Sequence, residues 1–287
     1  MVFPMTARRA LARKGGGAMD VDGLHVEIVG RGAPTLVLHG GLGLDHTMYR
    51  SLDPLADGLQ LIYVDHRGNG RSARPDPATL TMAGWADDAL AVGRAVAGDA
   101  PLVVIGHSYG GFIAQELAIR HPDRVDGVIL VTTTAGQLGA DESEDETEPG
   151  PPLPPDFAAA MATFPASDEE YATRSAQLLP HYLHQADVEA VLALEHDMVW
   201  SVAAMARGFQ LLWAWSSIDR LPQVRCPVLL VAGRHDVVTS FPQSHRIARH
   251  LPDAEVVVLE HSAHYPWLDE PAEFFAAVQS WLAARFG

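Results

Sequence analysis

The sequence predicts an α/β fold in which a mostly parallel sheet is flanked by helices. Short apolar runs rich in β-formers recur along the chain, for example "TLVLHG" (35–40) and "LVVIGHS" (102–108). Amphipathic helical stretches separate these runs, and the helix at 109–121 ends at a His-Pro pair. Continuous apolar runs are typical of parallel strands covered on both faces. The alternation of strand and helix breaks at about residue 135 and resumes at 226.

Each element follows from this pattern. Apolar runs or alternation predict strands, which are 24–30, 35–40, 59–68, 102–108, 125–133, 226–233 and 254–262. Helical periodicity and helix-stop signals predict helices, which are 46–57, 82–97, 109–121, 243–250 and 271–286.

The break in the alternation divides the chain into parts. We expect a flexible amino-terminal arm over 1–21, an α/β core over 22–134 and 221–287, and a helical cap or lid over 135–220. The cap begins with an acidic, proline-rich loop at 139–156, in which six carboxylates fall within eight residues. Such a segment buries too little apolar surface to order itself, so we expect a solvated loop.

Composition excludes several functional classes. The formal net charge of −16 argues against a nucleic-acid partner, because phosphate binding requires a basic face. No apolar stretch approaches the ~18–20 residues of a membrane span, so we expect no membrane partner. Cys226 is the only cysteine, which excludes an intramolecular disulfide. The first residues lack the apolar core of a secretory signal, which makes the cytoplasm the default location. The oligomeric state is left open.

The segment Gly106-His107-Ser108-Tyr109-Gly110 joins a predicted strand to a predicted helix. It fits the pattern G-x-S-x-G, a nucleophile elbow that lifts a serine hydroxyl above the carboxyl edge of a sheet. The helix that follows brings its free N–H groups toward the reacting carbonyl. Ser108 is therefore the predicted nucleophile.

A serine nucleophile needs a base, and the base needs an acid that orients it. Asp236 directly follows a predicted buried strand, and His264 follows the next strand. This is the chain order Ser, acid, His that the elbow topology requires. Asp65 also ends a strand but precedes the elbow, and His261 is interpreted as a loop residue. We predict Asp236 as the acid and His264 as the base.

The developing oxyanion needs two backbone donors. One is the amide of Tyr109, the residue directly after the nucleophile. The other comes from the glycine-rich loop "HGGLG" (39–43), where Gly41 is the first choice and Leu42 the alternative.

With these segments in order, "HGG", "DHRGNGRS", "GHSYGG", "GRHD" and "HSAHYPWLDEP", the chain resembles the α/β-hydrolase superfamily over about residues 22–287. The resemblance implies the same triad and oxyanion donors, with a helical cap inserted after the sixth strand. "HGG" and "RGNGRS" are similar to the proline iminopeptidase branch. That branch usually has proline, glutamine and tryptophan at the positions of Leu42, His66 and Tyr109.

Candidate substrate contacts lie in the helical region and the glycine-rich loop. An aminopeptidase would need carboxylates facing the pocket, and Glu195 and Asp197 are candidates. An acidic residue on a helix of this kind is, however, more often part of a solvated face. An apolar acyl or leaving-group pocket could use several large side chains, which could also be core of the cap. The predicted substrate contacts are Leu42, Met198, Trp200 and Trp213.

The functional hypothesis is a serine hydrolase that cleaves a small, largely apolar carboxylic ester or lactone through an acyl-enzyme. It requires a small-molecule substrate and neither a metal nor an organic cofactor. The first alternative is a prolyl-type aminopeptidase with the same triad. The second is a ligand-binding receptor on a hydrolase scaffold.

Overall fold

The computed structural model describes residues 17–41, 43–136 and 149–287. Within these ranges the strands are β1 Ala18–Val21, β2 Leu24–Gly30, β3 Ala33–Leu38, β4 Leu59–Val64, β5 Leu102–His107, β6 Val125–Val131, β7 Val228–Gly233 and β8 Ala254–Leu259. They form one sheet of eight strands in the order β1-β2-β4-β3-β5-β6-β7-β8. The first two pairings, β1 with β2 and β2 with β4, are antiparallel, and the remaining pairings are parallel.

Helices connect the strands and cover the sheet. The α-helices are α1 Met82–Ala97, α2 Tyr109–Arg120, α3 Pro155–Met161, α4 Asp168–Leu178, α5 Val188–Glu195, α6 Val202–Ala214, α7 Phe241–His250, α8 Pro266–Asp269 and α9 Pro271–Phe286. Short 3₁₀ helices lie at Thr47–Asp57, Pro77–Thr79, Leu179–Tyr182 and Ile218–Gln223. The first of these contains Pro54, which has no amide hydrogen to donate within a helix.

The parallel register brings the carboxyl ends of the central strands to one edge of the sheet. Leu38 of β3 lies beside Val64 of β4 and Gly106 of β5, and Gly106 lies beside Leu130 of β6. The loops that follow these strands therefore meet at the same edge, which is where α/β sheets bind ligands.

Alternate side chains of each strand enter cores on opposite faces of the sheet. Leu36 and Leu38 pack in one core with α1 and α2, whereas Val37 between them packs in the other core with α9. All three side chains are fully buried or nearly so. A sheet covered on both faces explains why the strands read as continuous apolar runs in the sequence.

The ordered sheet begins earlier than the predicted boundary at residue 22. Residues 18–21, which we assigned to the flexible arm, form β1 and pair with β2. The turn between them is Asp22-Gly23, with φ angles of 52° and 80°. Positive φ at both positions is typical of the tight two-residue hairpin that Asp-Gly favours. The arm prediction is therefore wrong for residues 18–21, and residues 1–16 lie outside the described ranges.

Between β6 and β7, the described residues form four α-helices, α3 to α6. The two strands nevertheless pair directly, with Val128 beside Val228. The segment between them holds the helices we expected there, and its role as a separate cap domain stays a prediction. The acidic run at 141–148, within the loop predicted at 139–156, lies outside the described residues.

No helix in the described part of the chain is long and apolar enough to span a bilayer.

Candidate active site

Ser108 lies between β5 and α2 in an unusual backbone conformation. Its φ of 50° and ψ of −116° place a non-glycine residue where steric strain is expected. Surrounding bonds hold it there: the Ser108 amide donates to the carbonyl of Val131, and its carbonyl accepts from the hydroxyl of Thr133 at 2.7 Å. The conformation places Ser108 as the N-cap of α2 without using its side chain as a cap. The hydroxyl is thus left for other chemistry.

The glycines on either side of Ser108 are needed for space. A Cβ on Gly106 would lie 2.6 Å from the carbonyl oxygen of Gly110, and a Cβ on Gly110 would clash with the backbone of Leu38 and His39. Neither glycine is among the residues with positive φ. The close packing of α2 against β3 and β5 therefore explains both glycines, and within Gly106–Gly110 only Ser108 has a positive φ.

The structure brings Asp236 and His264 together from the loops that follow β7 and β8. Nδ1 of His264 donates to Oδ2 of Asp236 at 2.9 Å, and both side chains are buried. Thr239 supports the pair, since its hydroxyl donates to Oδ2 of Asp236 at 2.7 Å. Burial alone would raise the pKa of Asp236, but the neighbouring His264 and the hydrogen bonds lower it below its ordinary value. Asp236 is therefore an anion that orients the imidazole.

A cavity of about 140 Å³ lies over Ser108. His264 lines the same cavity, so the predicted nucleophile and base face a common space. The wall is mostly apolar and aromatic, and much of it comes from the segment between β6 and β7. Residues of that segment on the wall include Met161, Phe164, Tyr171, Leu178, Leu179, Tyr182, Met205, Phe209 and Leu212.

The predicted oxyanion donors also reach this cavity. Gly41 and Tyr109 both line it beside Ser108. Gly41 has a φ of 64°, which is the left-handed region that glycine adopts readily. Within the described ranges, neither amide donates a hydrogen bond to another part of the protein. Both are therefore available to an oxygen in the cavity, whereas Leu42, the alternative donor, lies outside the described residues.

Tyr49 and His107 connect the two sides of the site, a relation that sequence reasoning missed. The amide of Gly40 donates to the Tyr49 hydroxyl at 2.6 Å, and that hydroxyl lies 2.6 Å from Nδ1 of His107. Nε2 of His107 donates to the carbonyl of His264 at 2.9 Å. Burial, reinforced by the neighbouring His264, holds the pKa of His107 well below its ordinary value. The neutral ring thus accepts from Tyr49 and donates to His264.

The carbonyl of His264 has a second donor. The hydroxyl of Thr132, at the end of β6, donates to it at 2.9 Å. Two buried donors therefore fix the backbone of the predicted base.

The structure separates the two carboxylates considered for the pocket. Glu195, at the end of α5, is 9% exposed and lines the cavity. Asp197 is exposed, and its carbonyl accepts from Arg71 at 3.0 Å. Only Glu195 is placed to meet a substrate.

The predicted substrate contacts Met198, Trp200 and Trp213 do not line the cavity. Met198 is buried in the core that also contains Val37. Trp200 packs against Tyr171, and it is Tyr171 that lines the cavity. Trp213 is 68% exposed. Phe209, by contrast, lines the cavity. Helical spacing in the sequence could not distinguish the residues that line the cavity from those that do not. The fourth predicted contact, Leu42, lies outside the described residues.

One group in the described chain has the composition of a metal site. His25, Glu27 and His46 offer ligand atoms within 4.8 Å of one another. None of them lines the cavity. Glu27 already accepts from Arg50, and Nδ1 of His46 donates to Asp65 at 2.6 Å. Because these carboxylates outweigh the effect of burial, the pKa of His46 rises to about 9. Ion pairs among these side chains, Arg50 and Asp65 therefore account for the cluster without a metal ion.

Comparison with known proteins identifies the family of the chain. A family model described as the alpha/beta hydrolase fold matches residues 34–271. A pimeloyl-[acyl-carrier protein] methyl ester esterase of Stenotrophomonas maltophilia is 29% identical over 268 residues, covering 91% of this chain and 97% of the relative. Proline iminopeptidase PfmaB of Pestalotiopsis fici is 26% identical over 242 residues, covering 81% and 85%.

A solved structure extends the comparison. Est816, described as an N-acyl homoserine lactone degrading enzyme, superposes with a TM-score of 0.67 at 25% identity. The superposition covers 92% of this chain and 100% of that one.

Proposed function

Because the chain belongs to the alpha/beta hydrolase fold family and is a hydrolase, we propose that it cleaves a small, largely apolar carboxylic ester or lactone through an acyl-enzyme on Ser108. The observation that carries the proposal is the bond between His264 and Asp236 at the cavity that Ser108 lines. The esterase and lactone-degrading relatives support the class of reaction.

In the first half of the reaction, the Ser108 oxygen attacks the carbonyl carbon while Nε2 of His264 accepts the hydroxyl proton. Asp236 stabilises the imidazolium that forms. The amides of Gly41 and Tyr109 donate to the oxyanion, each contributing about 3 kcal/mol to the stability of the transition state. The carbon–oxygen bond to the leaving group then breaks, and His264 returns its proton to the departing alcohol oxygen.

In the second half, water attacks the acyl-enzyme carbonyl while His264 again accepts a proton. The tetrahedral intermediate collapses, the Ser108 oxygen takes back the proton, and the carboxylic acid is released. With a lactone the alcohol and the acid leave as one hydroxy acid. The chemistry uses only groups of this chain and water.

The wall of the cavity supports a small apolar substrate. Met205, Phe209 and Leu212 of α6 face the cavity together with Leu178 and Leu179. Apolar surface removed from water contributes about 25 cal/mol per Å² to binding, before the entropy cost of association. A short aliphatic or aromatic group fits such a wall.

The test compares p-nitrophenyl esters of increasing acyl length with proline p-nitroanilide on one preparation, with Ser108→Ala as the blank. We expect turnover of the esters by the wild type only, and a mass increase equal to the acyl group on quenched wild-type protein. Preference for the proline anilide would instead establish the aminopeptidase alternative. Stoichiometric release followed by tight product retention would establish the receptor alternative.

A further inference from the structure

Glu195 is a carboxylate that the proposed ester hydrolysis does not use. It ends α5 on the wall of the cavity that also holds Ser108 and His264. Glu195 therefore borders the space that a bound substrate would occupy. The residue is only 9% exposed. Buried carboxylates in proteins are normally paired with a cation or held by hydrogen-bond donors.

Within the described residues, the Glu195 carboxylate has neither kind of partner. Burial is the single cause that acts on its pKa, which rises from 4.5 to about 7. The other glutamate buried to a similar extent, Glu116, contrasts with it: Arg220 and the indole of Trp215 donate to Glu116 at 2.8 and 3.0 Å. The unpartnered state of Glu195 thus distinguishes it from a structural buried carboxylate.

The groups whose pKa the charge of Glu195 affects are uncharged phenols. Burial raises the pKa of Tyr171, Tyr182 and Tyr265, and the nearby Glu195 raises it further. They come from α4, the 3₁₀ helix after it, and the loop before α8. Tyr49 is raised in the same way. All four stay neutral across the physiological range and cannot neutralise the carboxylate.

The cavity wall holds one guanidinium, but its donors are engaged elsewhere. Arg174 of α4 donates to Glu170 at 2.8 Å and to the hydroxyl of Thr163 at 3.0 Å. Its charge is therefore directed at Glu170. On the described part of the wall, the remaining titratable groups are the imidazole of His264 and the phenol of Tyr109, whose pKa burial raises.

From this placement we propose that Glu195 is the specificity-determining residue of the cavity, which excludes substrates carrying a carboxylate and accepts esters whose bound portion is neutral or cationic. The inference rests on the proposed ester hydrolysis. A second anion in this poorly solvated space would be repelled by Glu195, whereas a neutral chain would not.

The exclusion depends on pH because Glu195 changes its charge near neutrality. Below its pKa the protonated acid tolerates a nearby carboxylate and can donate a hydrogen bond to it. Above its pKa the full negative charge repels the same group. Discrimination against an anionic substrate therefore strengthens as the pH rises through about 7.

The experiment measures kcat/KM for two series of esters matched in shape. In the first series the acyl group varies and p-nitrophenol is the leaving group: hexanoate, the hemi-ester of adipic acid, and hexanoate with a terminal trimethylammonium group. In the second series hexanoate is constant and the alcohol varies: dimethylbutanol, glycolic acid and choline. The two series test both ends of the substrate, and His264 protonation cancels in each ratio.

We expect the neutral-to-anionic ratio of kcat/KM in at least one series to rise about tenfold or more between about pH 6 and about pH 8. In Glu195→Gln the same ratio should be small and independent of pH. Glu189→Gln, an exposed glutamate on the same helix, should retain the wild-type ratio at each pH.

The outcomes separate this inference from the proposed function. If no ester in either series is turned over, the proposed function fails. If the esters are turned over but Glu195→Gln shows the wild-type ratios and pH dependence in both series, the assignment of Glu195 is overturned while ester hydrolysis stands.

Discussion

The hydroxyl of Tyr49 lies 2.6 Å from Nδ1 of His107 and accepts the amide hydrogen of Gly40 at the same distance. One phenol therefore joins the loop that carries Gly41, the predicted oxyanion donor, to His107, the elbow residue before Ser108. His107 continues the connection to the backbone of His264. Tyr49 does not line the cavity. We therefore expect it to position the groups around Ser108 without touching substrate.

Tyr49→Phe should lower kcat about tenfold or more and leave KM nearly unchanged, because small displacements of reacting groups reduce rate strongly. Steady-state kinetics with the preferred p-nitrophenyl ester measures both constants. Tyr63→Phe is the matched control: its buried hydroxyl donates to Asp53 at 2.8 Å, away from the cavity. Equal kcat values for the two variants would contradict the positioning role.

The cavity wall predicts which large side chain of α6 contacts substrate. Phe209 lines the cavity and packs edge-on against Phe164, whereas Trp213 is 68% exposed. Phe209→Ala should raise KM for a hexanoate ester about tenfold, since it removes most of an aromatic contact. Trp213→Ala should leave KM within about twofold of wild type. A larger effect of Trp213→Ala would show that the substrate lies elsewhere.

The stability of the protein should respond to Glu195 through pH. The pKa of Glu195 rises from 4.5 to about 7 on folding, so ionisation disfavours the folded state. This penalty is absent below the unfolded value, grows with pH and is complete above about 7, reaching at most about 3 kcal/mol. Urea unfolding should therefore show Glu195→Gln gaining stability over wild type as the pH rises. A difference that does not vary with pH would refute the burial of an unpaired charge.

The contribution of His46 to stability should depend on pH in a different way, being lost at alkaline pH. Its pKa rises from 6.5 to about 9 against the effect of burial, because Asp65 and Glu27 favour the cation. The stabilisation is full below the unfolded value and is lost as the pH rises through about 9, at most about 3 kcal/mol. Urea unfolding should show wild type losing this advantage over His46→Gln in that interval. His250→Gln, exposed at the end of α7, should show no such change.

The sequence predicted the parts of the site that depend on local pattern. Ser108, Asp236 and His264 each follow an apolar strand, and strands of a parallel sheet end at one edge, so their placement at that edge followed from topology. Strand ends were overestimated: 59–68 was predicted where β4 ends at Val64. The polar residues 65–67 follow the apolar run directly in the sequence. Periodicity does not show where the last hydrogen bond between neighbouring strands is made.

The rest of the site depends on contacts between distant residues. Tyr49 and His107 are 58 positions apart, and nothing in the sequence near either residue indicates the bond. Glu195 and Asp197 were indistinguishable as acidic residues near a helix end, and only tertiary packing buries one and exposes the other. The β1 strand had a usable signal in Asp22-Gly23, the hairpin dipeptide.

The direct pairing of β6 with β7 has a consequence for how such a protein changes over time. The described helices α3 to α6 lie between two strands that are neighbours in the sheet, so the sheet is continuous without them. Most residues of the cavity wall come from the segment between β6 and β7. Ser108, Asp236 and His264 instead follow strands at the edge of the sheet. We therefore expect that the segment between β6 and β7 can be lengthened, shortened or grafted without disrupting the sheet. Substrate range and catalytic chemistry can then be inherited separately.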